Sequence, residues 1–201
     1  MRYLLGLILA LSAWTAEPPS VLVIGDSISI GYTPVVTTLL AGKAVVKHNE
    51  GNAAHTNTGV EKLEEWLGSE KWKVITFNFG LHDLKIMENE QHQVGLAQYE
   101  KNLETISARL RKTGARLIFV TTTPVPEGKL NPLRKPGDEL LFNEAALRVM
   151  KKHKIHVVDL YAFAKPRLGE IQSKANVHFT KEGSAMLAEV VAKAIEEQLH
   201  K

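Results

Sequence analysis

The chain contains no cysteine. That excludes a disulfide framework, a thiol nucleophile and any zinc–thiolate site. A strong excess of one charge is missing too: 25 Lys and Arg stand against 22 Asp and Glu, a formal net charge of +3. So small a surplus gives no electrostatic grip on nucleic acid. The doubled bases Arg111-Lys112, Arg134-Lys135 and Lys151-Lys152 read as solvated helix or loop faces. Past the first sixteen residues there is no long hydrophobic run, so no later segment is read as a membrane span. No Gly-Lys-Ser/Thr follows the first apolar run, and the pattern of three spaced glycines is absent, which removes the phosphate-loop and dinucleotide readings. His48, His55, His82, Asp83 and His178 show neither His-x-x-x-His nor His-Glu-x-x-His spacing, so no metal and no cofactor is expected.

What is present suits one globular domain: 201 residues, 44% apolar and 23% charged. The opening "MRYLLGLILALSAWTA" has one basic residue, an apolar run from Tyr3 to about Leu11, and small residues after it. It reads as a signal peptide over residues 1–16, cleaved after Ala16, with an uncleaved anchor as the alternative. The domain then runs from 17 to 201. Export implies a secreted or periplasmic protein without stable membrane insertion once the leader is gone.

Short apolar runs alternate with amphipathic stretches. "SVLVIG" (20–25), "AVVKHN" (44–49), "KVITFNF" (73–79), "ARLIFVTTT" (115–123) and "IHVVDLY" (155–161) read as strands. Residues 33–42, with a start at Pro34, and 59–69, 96–114, 138–153 and 180–201 read as helices, the last capped by Thr180. This alternation predicts an α/β fold: a three-layer α/β/α sandwich around a mostly parallel five-stranded sheet of flavodoxin-like order. Ligands in such sheets bind beyond the carboxyl ends of the strands. The loops at those ends are polar, Gly-rich or His-containing. In "VLVIGDSISIGY" Ser27 directly follows a buried run, where a sharp turn exposes its Oγ and sets its N–H at a helix start. An ordinary Asp26/Ser27 helix cap is the competing reading. In "NVHFTKEG" His178 lies at the same edge, and a Ser with a His in reach makes a nucleophile and a general base. "TTTPVPEG" places Thr123, Pro124 and Val125 as candidate lining of a substrate cleft.

"GDSISIGY", "NEGNAAHT", "FNFGLHDL" and "NVHFTKEG" occur in the order and spacing of the SGNH (GDSL-type) hydrolases, and the chain resembles that family over nearly all of residues 17–201. The resemblance implies a serine esterase with Ser27 as nucleophile and His178 as base. It implies an oxyanion hole from the N–H of Ser27, the N–H of Gly51 and a side chain of the third block, with Asn52 beside the cleft. Two positions depart from the family pattern. His82 stands where Asn is usual, and Ala175 where an Asp precedes the His by three. We expect His82 to take the donor role; a second proton-transfer role and a structural ring are the alternatives. For His178 we expect a backbone carbonyl near Ala175 or Asn176 as acceptor, with Asp83, Asp159 and Glu170 as the carboxylate alternatives. Asp26 and Asp83 are expected to be structural. The expected substrate is a small or saccharide ester with a short acyl group. An acyltransferase and a non-catalytic binding protein of the same fold are the other classes.

Overall fold

The computed structural model describes residues 17–201; the leader read at 1–16 lies outside them. Five strands, β1 (Ser20–Ile24), β2 (Val45–His48), β3 (Trp72–Phe77), β4 (Arg116–Val120) and β5 (His156–Val158), form one sheet in the order β2-β1-β3-β4-β5. Every neighbouring pair is parallel. The β-branched and aromatic runs of β1, β3 and β4 are almost wholly buried, as strands covered on both faces must be.

Helices α1 (Ser27–Leu39) and α7 (Lys181–Leu199) pack together on one face. On the other, α3 (Leu96–Arg111) lies between α2 (Thr56–Leu67) and α4 (Asp138–His153). Short helices α5 (Leu160–Ala164) and α6 (Leu168–Ile171) follow β5. In the core, Phe77 and Phe119 meet edge to face at 5.3 Å, and Tyr99 stands against Phe142 at 4.9 Å. The Tyr99 hydroxyl, fully buried, donates to the Phe79 carbonyl at 2.9 Å, so its polar end is satisfied.

The first helix corrects the sequence reading. It starts at Ser27 and not at Pro34, because the Asp26 carboxylate accepts the Ile28 N–H at 2.9 Å and caps it. Ile28, Tyr32 and Val36, spaced by four, are its buried stripe. Pro34 sits inside the helix on its exposed side, where one forfeited backbone bond is tolerated by a helix anchored at both ends. Seven residues of poor helix formers are thereby drawn into α1, and this is what brings Ser27 to the first helical position.

Among the described residues, no helix is long and apolar enough to cross a membrane.

Candidate active site

The site lies beyond the carboxyl ends of β1, β3 and β4. Ser27 follows β1 by three residues. At the N-terminal turn of α1 its N–H has no partner within the helix and points out with the positive end of the helix dipole. Ser27 Oγ lies 2.8 Å from His178 Nε2, although 151 positions separate the two residues.

What holds His178 is a side chain. Asn176 Oδ1 lies 2.7 Å from His178 Nδ1 and also accepts the His178 backbone N–H at 3.0 Å. A backbone N–H can only donate, so that atom of Asn176 is its oxygen, and the ring nitrogen facing it must carry a proton. In the neutral imidazole Nε2 is therefore the unprotonated nitrogen, and it faces the Ser27 hydroxyl. This corrects the backbone acceptor expected from the sequence. A turn closed by Asn176 N–H on the Ser173 carbonyl at 3.2 Å, with Ala175 at φ +48°, carries the Asn176 side chain under the ring. The carboxylate alternatives lie elsewhere. Asp159 caps α5 through Ala162 N–H at 3.0 Å, Asp83 is tied to Thr56, and Glu170 belongs to α6.

His82 shares one cleft of about 260 Å³ with Ser27, Asn52, Asn176 and His178. It reaches the cleft because the chain after β3 turns at Gly80, whose φ of +142° suits glycine and whose missing Cβ would run into the Thr122 hydroxyl. Lys85 Nζ lies 2.9 Å from His82 Nδ1. An ammonium only donates, so Nδ1 accepts and Nε2 carries the proton. Burial, then the positive charges of Lys85 and Arg134, press the His82 pKa down to about 4. His82 is thus a neutral N–H donor across the neutral pH range.

Asp83, beside it, is fully buried. Its Oδ1 accepts Thr56 N–H at 2.9 Å and Thr56 Oγ at 2.5 Å, which ties the third block to the start of α2. Burial pushes its carboxyl up to about 6, against the Thr56 hydrogen bonds that favour the charged form. A value raised above that of the unfolded chain means the contribution is full below about pH 4 and is lost as pH rises through about 6. In Asp83→Asn this dependence should vanish. Urea unfolding from pH 4 to 8 should show wild type losing up to about 3 kcal/mol relative to the variant; a difference that does not change with pH contradicts this reading. Asp26 is also buried, with Oδ1 on the α1 cap and Oδ2 unpartnered, and burial raises its pKa.

Other expectations are met differently. Gly51, at φ +66°, precedes the cleft residue Asn52 but faces a neighbouring depression with Ile30, Pro34 and His48. Thr123, Pro124 and Val125 are buried and do not line the cleft. The Pro124 carbonyl instead accepts from Gln172 at 3.0 Å, because the chain leaving β4 dives under the last loop. The wall is made by Leu130, Asn131, Pro132 and Arg134. Arg134, read from its doubled base as solvated, is only 5% exposed. The sequence reading missed Asn176 as a side chain, Lys85 and Arg134. Asn176 and Lys85 carried a signal in their spacing, two residues before His178 and three after His82; Arg134 carried none. A second Ser–His pair, Ser29 Oγ and His48 Nε2 at 2.7 Å, stands apart, with Ser29 buried in α1.

Fold and site together define a hydrolase of the α/β/α sandwich type. Over residues 23–186 the chain matches the model of the GDSL-like lipase/acylhydrolase family, and it belongs to that family. Among solved structures it is similar to a lipase/acylhydrolase from Enterococcus faecalis, at 21% identity over 89% of this chain and 96% of that one, with a TM-score of 0.77. It is similar to an acetylxylan esterase from Geobacillus stearothermophilus at 19% identity, over 88% and 94%, with a TM-score of 0.73. Another acetylxylan esterase matches at 16% identity, over 88% and 99%, with a TM-score of 0.72. At these identities the likeness carries the fold. The search of curated proteins finds no match.

Proposed function

We propose that the chain is an exported serine esterase that removes short acyl groups, acetyl foremost, from saccharides, through an acyl-enzyme on Ser27. The observation that carries this reading is the connected series Asn176 Oδ1, His178 Nδ1, His178 Nε2, Ser27 Oγ, at 2.7 and 2.8 Å. Such a series is a triad with a neutral third member. Ser27 Oγ attacks the ester carbonyl as Nε2 takes its proton. The tetrahedral oxyanion is received by the Ser27 N–H and His82 Nε2–H. The carbon–oxygen bond to the alcohol breaks as the imidazolium returns the proton. Water then repeats the sequence on the acyl-enzyme. The hydrogen bond between serine and base, with the tautomer fixed by Asn176, favours the acyl-enzyme reading over a non-catalytic one.

Substrate size is supported by the cleft of about 260 Å³, which suits a small acyl group and one ring, and by the two acetylxylan esterases among the similar structures. Export rests on the sequence of residues 1–16. The test is hydrolysis of 4-nitrophenyl esters from acetate to octanoate, and acetate release from acetylated xylan oligomers. We expect kcat/KM to fall with chain length; rates that rise toward octanoate, or no hydrolysis at all, contradict the proposal.

The donor role of His82 has its own test. His82→Ala should lower kcat on an acetyl ester by roughly 100- to 1000-fold, the cost of one oxyanion donor. His82→Asn should recover most of it, since an amide N–H can point to the same place. A near-wild-type rate in the alanine variant would end the donor reading.

A further inference from the structure

The cleft wall carries two cations and no acid. Lys85 and Arg134 both line it, while its other residues are neutral or histidine. Among the described residues neither forms an ion pair with a carboxylate. Arg134 is held rigidly: Nε donates to the Leu81 carbonyl at 2.8 Å and Nη1 to the Pro132 carbonyl at 3.2 Å. Lys85 spends one proton on His82. Buried charges are ordinarily paired, because a cation withdrawn from water without a counter-ion is unfavourable. The carboxylates whose field reaches the pair are Asp26 for both and Asp83 for Lys85. Both are buried, Asp26 at the cap of α1 and Asp83 on the Thr56 N–H at the start of α2, and both lie outside the cleft lining. Burial and mutual repulsion lower the pKa of Lys85, which a bound anion would reverse.

We propose that Lys85 and Arg134 form an anion subsite, and that the natural substrate is an acyl ester whose alcohol part carries a carboxylate. This rests on the esterase reading. An acetyl group is too small to bear the charge, so the carboxylate belongs to the sugar or other alcohol. A planar guanidinium fixed by two carbonyls is pre-organised for a carboxylate, and a nearby ammonium adds a point charge. The subsite sits in the same cleft as His82, so anion binding and oxyanion binding are neighbours without sharing a donor.

The test uses matched esters: 4-acetoxybenzoate and its methyl ester, each rate corrected for alkaline hydrolysis. Wild type should favour the charged ester in kcat/KM by about tenfold or more, as hydrogen bonds to a charged group allow. Arg134→Gln should remove most of that ratio and Arg134→Lys should keep part of it. A purely structural arginine would lower both esters alike and leave the ratio unchanged, which overturns the proposal, as does a wild-type ratio near one. Should Arg134→Gln fail to fold, the wild-type ratio stands as the readout. A second arm separates this from the esterase reading. Calorimetry on Ser27→Ala should detect glucuronate and not glucose. Equal binding of both, or of neither, overturns the subsite even where hydrolysis is observed; glucuronate binding without hydrolysis supports the subsite and contradicts the esterase.

Discussion

Ser27→Ala is expected to lower kcat/KM on an acetyl ester by roughly 10⁴- to 10⁶-fold. The hydroxyl is the only atom in the series that forms a bond to substrate. The change leaves the fold intact, because the helix cap belongs to Asp26, which accepts Ile28 N–H, and Ser27 contributes only its backbone there. The variant should therefore melt within a degree or two of wild type while turnover disappears. Residual rate should come from the oxyanion donors and from binding. A variant retaining a tenth of the activity would place the nucleophile elsewhere. Ser29 is the natural rival, since it too lies 2.7 Å from a histidine nitrogen. Yet Ser29 is 2% exposed and its hydroxyl lies 2.7 Å from the Asp26 carbonyl, where no ester can reach it.

The second large effect belongs to Asn176. Asn176→Ala removes the atom that receives both the ring N–H and the backbone N–H of His178. Freed, the imidazole can adopt the other tautomer and leave the serine hydroxyl without an acceptor. The cost should be roughly 10²- to 10⁴-fold in kcat, in the range found when a triad's orienting group is changed. Asn176→Asp should behave in the opposite way. A carboxylate oxygen in the same place keeps the tautomer and stabilises the imidazolium, so activity is retained or raised and the acid limb of the pH–rate profile moves to higher pH. Steady-state rates of the two variants on one acetyl ester across pH 5 to 9 check both. Equal losses in both would show that position 176 only shapes the turn.

These two residues differ in how far the sequence disclosed them. Ser27 was legible only once the Gly-Asp-Ser turn after a β-branched run was joined by the other three blocks of the resemblance, since a helix cap explains the segment alone; the five parallel strands followed from five apolar runs separated by helical ones. The start of α1 was not legible. Its first turns are Ser, Ile, Gly and Thr, weak helix formers, and Pro34 looked like a beginning; packing of Ile28, Tyr32 and Val36 against the sheet and α7 overrides those propensities. Asn176 was visible as a residue but not as a ligand of the ring. An acceptor two positions away reaches the imidazole only if the chain turns, and Ala175 in the left-handed region, where alanine is uncommon, supplies that turn. The partner of His178 Nδ1, where the family's Asp is absent, is thus the local Asn176 Oδ1. Thr123 to Val125 misled because a Pro-containing segment after a strand is usually exposed, whereas here it is covered by the last loop through Gln172. Arg134 could not be found at all: nothing in a loop between two prolines tells a buried guanidinium from a solvated one.

Activation of Ser27 is read out by a fluorophosphonate reagent followed by peptide mass spectrometry. A single adduct should form on Ser27 in the wild-type protein, far more slowly in Asn176→Ala and not at all in Ser27→Ala. No adduct, or an adduct on Ser29 or any other residue, would contradict it.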